Sequence, residues 1–290
     1  MNLPRKMQSI PLGELPFLEI PPGNRVNTIS GGLQSWVATW LDFRNHPEST
    51  HLLYFCDTGY EHPTTYDFIS RSLDVLSDDF PETPAMFICL KSESLWELFS
   101  REKFQGNGRN AVCSRKLKQE PGKKLEALLG IEDSPITFGF GPLEPERLEN
   151  AKRSRKNPVA PLLDDDTFWD KQALIGFVKS KGLDIPYLYQ LGMAHNNCSG
   201  FCVKAGQGHY KSLLNNDAEL YAQHEENQEA FINSLDDSRR GRVGFITVQR
   251  RGKKYRLTLK EFRLWVERGE PVDPYDKGAC GCFSQMQLFS

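Results

Sequence analysis

Cysteine is the residue type whose spacing first suggests chemistry in this sequence. The chain has seven cysteines among 290 residues. Cys56 and Cys89 lie inside the apolar runs LLYFC and AMFICL, a context that favours small buried core residues over ligands. The remaining five lie among polar residues, glycine and asparagine: Cys113, Cys198, Cys202, Cys280 and Cys282. These five are the candidates for chemistry.

Thiolates bind zinc and iron–sulfur clusters in preference to hard cations. Four ligands complete either kind of site, so the polar cysteines offer one thiol more than a site needs. Neither the Cys-x₃-Cys spacing at 198–202 nor the Cys-x-Cys spacing at 280–282 is diagnostic. A cluster, a Cys₄ zinc site and thiols without metal all remain open. A surplus thiol in the glycine-containing tail could act as a nucleophile if neighbouring lysines lower its pKa.

A glycine pair between a predicted strand and a predicted helix is the second chemical signal. The strand at 25–29 leads into SGGLQS at 30–35, and a helical run covers 36–43. Glycine lets a backbone approach a ligand closely, and the amides at a helix start favour an anion. The loop contains no Lys, so it is not a Walker A motif. Phosphate binding and a plain strand–helix turn fit the spacing equally well.

The segment DTGYEHP at 57–63 directly follows a second predicted strand. In an open parallel sheet, ligands bind outside the carboxyl ends of the strands, so this segment is expected beside SGGLQS. Its acidic groups suit a ribose, an adenine amine or a magnesium ion. The competing interpretation is a capping turn in which Asp57 makes only local hydrogen bonds.

Composition and hydrophobic patterning set the fold class. Hydrophobic residues are 39% and charged residues 26% of the chain, and the net charge is −2, which excludes a globally basic nucleic-acid binder. Strands at 25–29, 51–56, 86–90 and 136–140 alternate with helical patterns, so we predict a mostly parallel sheet flanked by helices. Beyond about residue 165 the pattern is mainly helical, with one hairpin of strands 243–249 and 255–259 around the turn 250–254.

Two basic runs and three motif histidines carry weaker signals. One run surrounds the predicted hairpin at 239–256 and the other lies at 152–156. Such runs are usually solvated faces, but these also suit the phosphate or sulfate of a nucleotide, or a nucleic acid at the hairpin. His62, His195 and His209 fall within motifs, and a hydrogen-bonded histidine is the plainer interpretation of each.

Several segments together resemble the phosphoadenosine phosphosulfate (PAPS) reductase family of the PP-loop superfamily, the adenine-nucleotide α-hydrolases. SGGLQS matches the superfamily's Ser-Gly-Gly-x-Asp/Gln-Ser loop, and FCDTGYEHPTTYDFI resembles its second-strand motif. CSRKLKQEP at 113–121 is similar to the family's Cys-x-x-Lys-x-x-Pro stretch, and ITFGFGPLEPERLENA at 136–151 to a segment ending in Glu-Arg. HNNCSGFCVKAGQGHY at 195–210 and GACGCF at 278–283 resemble a bacterial and phage branch.

The resemblance implies a Rossmann-like fold of the HUP type that binds ATP or an adenylyl sulfate such as PAPS, with magnesium as a further candidate. It implies a nucleotide site formed by Ser30, Gly31, Gly32, Gln34, Ser35, Asp57, Thr58 and Gly59. The family branch implies a [4Fe–4S] cluster with zinc as the alternative, and we assign Cys113, Cys198, Cys202 and Cys282 as its ligands. Cys280 is the exchangeable ligand and the candidate catalytic nucleophile.

Two departures from the family pattern limit what the resemblance implies. Leu33 stands where many members have Lys, and the tail reads ACGCF rather than containing Glu-Cys-Gly-Leu-His. We therefore expect a member of the family acting in reductive or sulfur-transfer chemistry, with a thioredoxin-like protein as the expected reductant. The alternative is a non-catalytic accessory protein that binds a nucleotide or nucleic acid and retains the fold and cluster.

The expected organisation has three parts. Residues 1–24 form an extended arm, 25–190 the adenine-nucleotide-binding α/β domain, and 191–290 a cysteine-rich region with helices and the basic hairpin. No apolar run approaches the roughly 20 residues that a membrane span needs, and the start of the chain shows no signal-peptide core. We therefore expect a cytoplasmic protein with no membrane partner.

Overall fold

In a computed structural model of the chain, the residues described are 9–11, 24–91, 93–276 and 278. They form two compact units. The first combines the described residues up to Lys91 with Leu117–Tyr187, and the second combines Glu93–Lys116 with those from Leu188 onward. The second unit therefore contains all three described candidate ligands, Cys113, Cys198 and Cys202.

The first unit is built on a six-stranded sheet in which every pair of neighbouring strands is parallel. Its strands are β1 (Ser9–Pro11), β2 (Arg25–Ile29), β3 (His51–Asp57), β4 (Ala85–Lys91), β5 (Ile136–Thr137) and β6 (Pro158–Val159). Their spatial order is β1-β4-β3-β2-β5-β6. This topology confirms the predicted Rossmann-like α/β class.

Both faces of the central strands are covered by helices. The helices of the first unit are α1 (Leu33–Asn45), α2 (Pro63–Asp79), α4 (Glu120–Leu129), α5 (Pro145–Lys152), α6 (Pro161–Asp164) and α7 (Lys171–Ser180); α3 (Leu95–Glu102) belongs to the second unit. Alternate side chains of β3 enter two cores: Leu53 and Phe55 pack with residues of α1 and α2, whereas Leu52 and Tyr54 pack with Leu125 of α4. This period of two explains why β3 is buried along its whole length.

A buried ion pair joins β2 to α1 near the amino end of the sheet. The Nε and Nη2 atoms of Arg25 donate to Asp42, with Nη2 lying 2.7 Å from Oδ1. Beside them, buried His51 donates from Nε2 to the His46 carbonyl and accepts at Nδ1 from the amide of Asn27. Burial lowers the pKa of His51, so the carboxylate of Asp42 is balanced by the guanidinium of Arg25.

Replacing Asp42 with alanine should strongly destabilise the protein. The substitution leaves the guanidinium of Arg25 nearly buried without its carboxylate, which costs about 3–5 kcal/mol in comparable pairs. Urea denaturation measures this loss in the free energy of unfolding. The matched control is Glu149→Gln, which breaks the exposed pair with Lys152 and should cost less than about 1 kcal/mol. Equal losses in the free energy of unfolding for the two variants would contradict the conclusion that Asp42 and Arg25 form a buried ion pair.

The second unit is mainly helical. Its elements are α3 (Leu95–Glu102), α8 (Tyr187–Gln190, which begins at the boundary), α9 (Gln207–Asn216), α10 (Ala218–Asn233), α11 (Asp237–Arg240), β7 (Ile246–Arg250), β8 (Lys253–Leu257) and α12 (Leu259–Glu267). A π-helical stretch, Ser114–Gln119, leads into α4. No described helix is both long and apolar enough to cross a membrane.

A chain of buried amides connects distant segments of the second unit. Gln105 donates to the carbonyl of Val243 and accepts from Gln228 at 3.0 Å. Gln228 in turn accepts from the backbone amide of Leu259 at 2.7 Å. Because both glutamines are almost fully buried, their satisfied hydrogen bonds fix the loop after α3, α10 and the two ends of the β7–β8 hairpin in one arrangement.

The structure corrects two of the predicted element boundaries. The predicted strand at 136–140 ends at Thr137, because the chain beyond it turns to pack against the start of α1. The hairpin turn is only Arg251 and Gly252, so Arg250, Lys253 and Lys254 belong to the strands. Both turn residues have left-handed backbone angles, φ +49° and +78°, which suit a tight two-residue connection.

Candidate functional site

The first candidate site lies at the point where the direction of strand order reverses. From β2 the chain proceeds to β3 and β4 on one side, and it returns to place β5 on the other side of β2. Ligands of open α/β sheets bind in the crevice at the carboxyl ends of such strands. Residues 30–35 follow β2 at this edge, and residues 138–142 follow β5, so SGGLQS occupies the expected position.

Serine hydroxyls hold the 30–35 loop in a defined shape. The Ser35 hydroxyl donates to the Gly32 carbonyl at 2.9 Å and accepts from the Ser30 amide at 3.1 Å. The Ser30 hydroxyl lies 2.9 Å from that of Ser35 and accepts from the Gly32 amide at 3.4 Å. The serines predicted to bind phosphate thus also brace the loop. The start of α1 has no side-chain cap and no acidic residue in its first turn, which leaves its dipole available to an anion.

Gly31 is required by the shape of this loop. Its φ is +73°, and a Cβ atom there would lie 2.3 Å from Cγ2 of Thr65. The cavity behind the loop, lined by Gly31, Ser35 and apolar residues of α1 and α2, has a volume of about 10 Å³. Since a single water needs roughly that much room, this cavity cannot hold a phosphate.

The segment after β5 packs directly on the start of α1. A Cβ atom at Gly139 would lie 2.5 Å from the backbone nitrogen of Ser35, so this approach requires glycine. Nearby, the Gln34 side-chain amide donates to buried Glu144 at 3.1 Å. Glu144 also accepts from the Gly141 amide and from Arg147. Gln34, predicted as a ligand-binding residue, therefore also ties α1 to the segment leading into α5.

The second predicted loop makes extensive hydrogen bonds of its own. Asp57 accepts from the Gly59 amide at 2.8 Å and from the Tyr66 hydroxyl at 2.7 Å. Thr58 donates to buried Glu61 at 3.0 Å, and the Lys118 ammonium lies 3.6 Å from the same carboxylate. The pKa of Tyr66 is raised mainly by burial and, to a smaller extent, by the hydrogen bond to Asp57. These contacts match the capping-turn interpretation of Asp57 and place the turn at the carboxyl end of β3.

Replacing Gly139 with alanine should destabilise the protein by about 1–3 kcal/mol, the usual cost of overpacking. The added methyl group would overlap the backbone of Ser35 and push the loop from its position. Gly176→Ala is the control, because its Cβ would meet nothing within 4 Å. As Gly176 lies inside α7, its substitution should add about 0.5–1 kcal/mol of stability. Thermal or urea unfolding would measure both, and equal effects would contradict the close packing.

The five described cysteines lie in different surroundings. Cys56 and Cys89 are buried in the two sheet cores, which confirms the prediction that they are core residues. Burial raises the pKa of the Cys56 thiol to about 12, so it stays protonated at neutral pH. In the second unit Cys198 is buried, whereas Cys113 and Cys202 are partly exposed.

Cys198 begins a run of three residues with left-handed backbone angles. The φ values of Cys198, Ser199 and Gly200 are +50°, +50° and +86°. Residues other than glycine adopt this conformation at a cost, and such strain persists only where the surroundings enforce it. Strained backbone of this kind clusters at ligand-binding sites, which makes this turn the most distinctive backbone feature of the second unit.

Buried side chains of α9 and α10 hold that turn. His224 donates from Nε2 to the Ser199 carbonyl at 2.9 Å, and His209 donates to the Gly200 carbonyl at 2.7 Å. The Tyr210 hydroxyl lies 2.9 Å from both the backbone nitrogen and the carbonyl oxygen of Cys202. Burial lowers the pKa of His224 to about 4, so it is a neutral donor at physiological pH. These three residues position the peptide that carries Cys198 and Cys202.

Only some of the predicted metal ligands lie within the described residues. In that part of the chain, no group of three or more His, Cys, Asp or Glu side chains is arranged to hold a metal ion. Cys280, the predicted nucleophile, and Cys282, the predicted fourth ligand, lie outside the described residues. The prediction of a cluster therefore remains a prediction.

Sequence reasoning missed several residues that shape these sites. His224 carried no signal because it lies on a helix far in sequence from the turn it supports. Glu144 belongs to the motif at 136–151, but its burial and its bond to Gln34 follow from the return of the chain to β2. Tyr66 lies in the second-strand motif, and only its position one helical turn into α2 indicates that it reaches Asp57.

Comparisons with known proteins give a likeness to solved structures but no match by sequence. No protein-family model and no curated protein matches the sequence. Among solved structures, a crystal structure of PAPS reductase from Candida auris in complex with phosphate is similar, with 19% sequence identity and a TM-score of 0.39. The match covers 59% of this chain and 78% of that chain.

Proposed function

We propose that the protein is an adenine-nucleotide-binding enzyme of the PAPS reductase-like type, in which residues 30–35 bind the phosphate or sulfate groups of ATP or an adenylyl sulfate. The observation that carries the proposal is the position and construction of this loop. It follows β2 at the reversal of strand order, it leads into an uncapped helix, and its shape is fixed by Gly31, which packs against Thr65.

The residues of the loop have distinct parts in this proposal. Backbone amides at the start of α1 donate to the bound anion, and the helix dipole adds to the attraction. The Ser30 hydroxyl, half-buried beside Ser35, is available to turn toward the ligand while the Ser35 hydroxyl maintains the loop. Asp57, Thr58 and Gly59 contribute the rim on which the nucleoside rests. Magnesium bound to the nucleotide would supply positive charge that the loop itself lacks.

The donor set of the second unit suits a thiolate-bound group, a [4Fe–4S] cluster first and zinc as the alternative. Cys113, Cys198 and Cys202 would hold it together with Cys282, with Cys280 as the exchangeable ligand. His209, His224 and Tyr210 fix the peptide that presents two of these thiols. When bound, such a cluster would supply a fixed anchor for the thiolates of the tail.

The proposed chemistry is reductive or sulfur-transferring. In the reductase version, the Cys280 thiolate attacks the sulfur of an adenylyl sulfate and displaces the nucleotide. A reduced thioredoxin-like dithiol then releases sulfite and becomes a disulfide, which regenerates the thiol. In the sulfur-transfer version, ATP adenylates a carbonyl oxygen of the acceptor and releases pyrophosphate, and sulfide then displaces AMP to leave sulfur in place of that oxygen.

A buried leucine favours a second candidate, a protein that binds the nucleotide without turning it over. Leu33, the first residue of α1, is only 2% exposed, so this position offers no cation to a departing phosphate. Consumption of ATP or PAPS by anaerobically purified protein distinguishes the two candidates. Turnover supports the enzyme, whereas tight binding with no product supports the accessory role.

Ser30→Asp should weaken nucleotide binding and leave the fold intact. Aspartate retains an oxygen that accepts from the Gly32 amide, but it places a negative charge where the anion would bind. Calorimetric titration with ATP and PAPS should show at least about a tenfold loss in affinity, equivalent to about 1.4 kcal/mol. Ser154→Asp adds the same charge at an exposed position and should bind normally. Unchanged affinity of the Ser30 variant would contradict the phosphate site.

Iron, zinc and sulfide analysis of anaerobically purified protein tests the proposed cluster. Serine at Cys113, Cys198 or Cys202 should each remove most of the iron and the visible absorbance of a cluster. Cys56→Ala is the matched control, since that thiol is buried in the sheet core, and it should retain the metal. Single serine variants of Cys280 and Cys282 decide which is the fourth ligand. Stoichiometric zinc without sulfide would instead establish the zinc alternative.

A further inference from the structure

The hairpin formed by β7 and β8, here the basic hairpin (residues 246–257), has a charge distribution that the proposed nucleotide chemistry does not use. Its only described acidic contact is between Arg250 and Glu270, 3.2 Å apart. Within the described residues, four other cations of the hairpin lie beyond ion-pair distance of any carboxylate. They are Arg251, Lys253, Lys254 and Arg256, and all four are exposed.

The strand register places positive charge on both faces of the basic hairpin. Arg250 pairs with Lys253 on one face, and Lys254 and Arg256 lie on the other, opposite Gln249 and Thr247. Arg251 occupies the tip between the two faces. The hairpin thus carries cations in every direction around its outer end, whereas docking against one flat acidic surface would require them on a single face.

The base of the basic hairpin is rigidly mounted. Ile246 and Val248 are fully buried, and the Gln105–Gln228 amides hold Val243 and Leu259, which flank the two strands. A capping box at Thr258 starts α12 directly after β8. A rigid hairpin loses little conformational entropy when it binds, so its cations are presented in a preorganised arrangement.

The residue at the tip also points to a use for charge. Arg251 has φ +49°, and in two-residue turns this position is occupied preferentially by asparagine, aspartate or glycine. An arginine in this conformation is less stable than glycine or asparagine would be, but it places an exposed guanidinium at the tip. A guanidinium binds phosphate with two parallel hydrogen bonds. Tyr255, 44% exposed, adds an aromatic ring among the cations.

We propose that the basic hairpin binds double-stranded DNA by entering its major groove. That groove is about 12 Å wide and admits a two-stranded β-ribbon. Its walls are phosphates on both sides, which matches cations on both faces and at the tip. The deep, narrow major groove of A-form RNA does not admit such an element. Gln249, exposed between the cations, is of a type that hydrogen-bonds to base edges.

Fluorescence anisotropy of a labelled DNA duplex, titrated with the full-length protein at several salt concentrations, tests this proposal. Four phosphate contacts predict that affinity falls about a hundredfold between about 50 and 200 mM salt. Lys253→Gln with Lys254→Gln should weaken binding and reduce the slope of log affinity against log salt by about 1.8, or 0.9 for each lost contact. Lys253→Arg with Lys254→Arg should retain wild-type binding.

The control is Lys123→Gln with Lys124→Gln, which makes the same charge change at exposed positions of α4 and should leave DNA affinity and slope unchanged. The proposal is overturned if the control loses as much affinity, or if the wild type does not bind the duplex at low salt. It is also overturned if double-stranded RNA or polyglutamate binds the hairpin more tightly than DNA. ATP titration of the hairpin variant should be unchanged, which keeps this test separate from the nucleotide site.

Discussion

The close packing of the β5 segment on the start of α1 is the constraint on which the proposed nucleotide site depends. Gly139 brings the chain after β5 against the Ser35 backbone, and the Gln34–Glu144–Arg147 contacts hold it there. This packing fixes the first turn of α1 at the carboxyl end of β2. In the proposed site, the amides of that turn would attract an anion because their direction is fixed beforehand, as electrostatic preorganisation requires.

In the second unit, buried polar side chains fix the backbone of the candidate sites. Two histidines and a tyrosine hold the left-handed turn at Cys198, and two glutamines hold the base of the basic hairpin. Each network is satisfied within the unit, and a satisfied buried network specifies one arrangement more sharply than apolar packing alone. Both networks lie next to backbone with unusual angles, where apolar contacts could not supply the required hydrogen-bond donors.

The sequence predicts the sheet better than the details of the sites. The run at 51–56 is strongly apolar and precedes a turn, and the run at 25–29 leads directly into a glycine turn, so the sequence predicts both strands to within a residue. The strand at 136–140 was predicted too long because tertiary packing at Gly139 ends it, and no local pattern reports that contact. Pro158–Val159 was missed because two residues carry no periodicity.

For the candidate sites, the sequence indicated which residues carry chemistry but not what positions them. The glycine pair and the serines of the 30–35 loop were visible as a motif. The support of Cys198 by His224 was not, because it depends on the packing of α10 against a turn that lies 25 positions away along the chain. Contacts over such separations follow from the completed fold and leave no spacing in the sequence.

The central claim is that the amides at the start of α1 bind a nucleotide phosphate, and hydrogen–deuterium exchange of residues 31–36 measures this directly. Under conditions where calorimetry shows saturation, ATP or PAPS should slow exchange at these amides, whereas adenosine, which lacks phosphate, should not. Saturating nucleotide with unchanged exchange at residues 31–36 would contradict the account, because the phosphate would then be bound elsewhere.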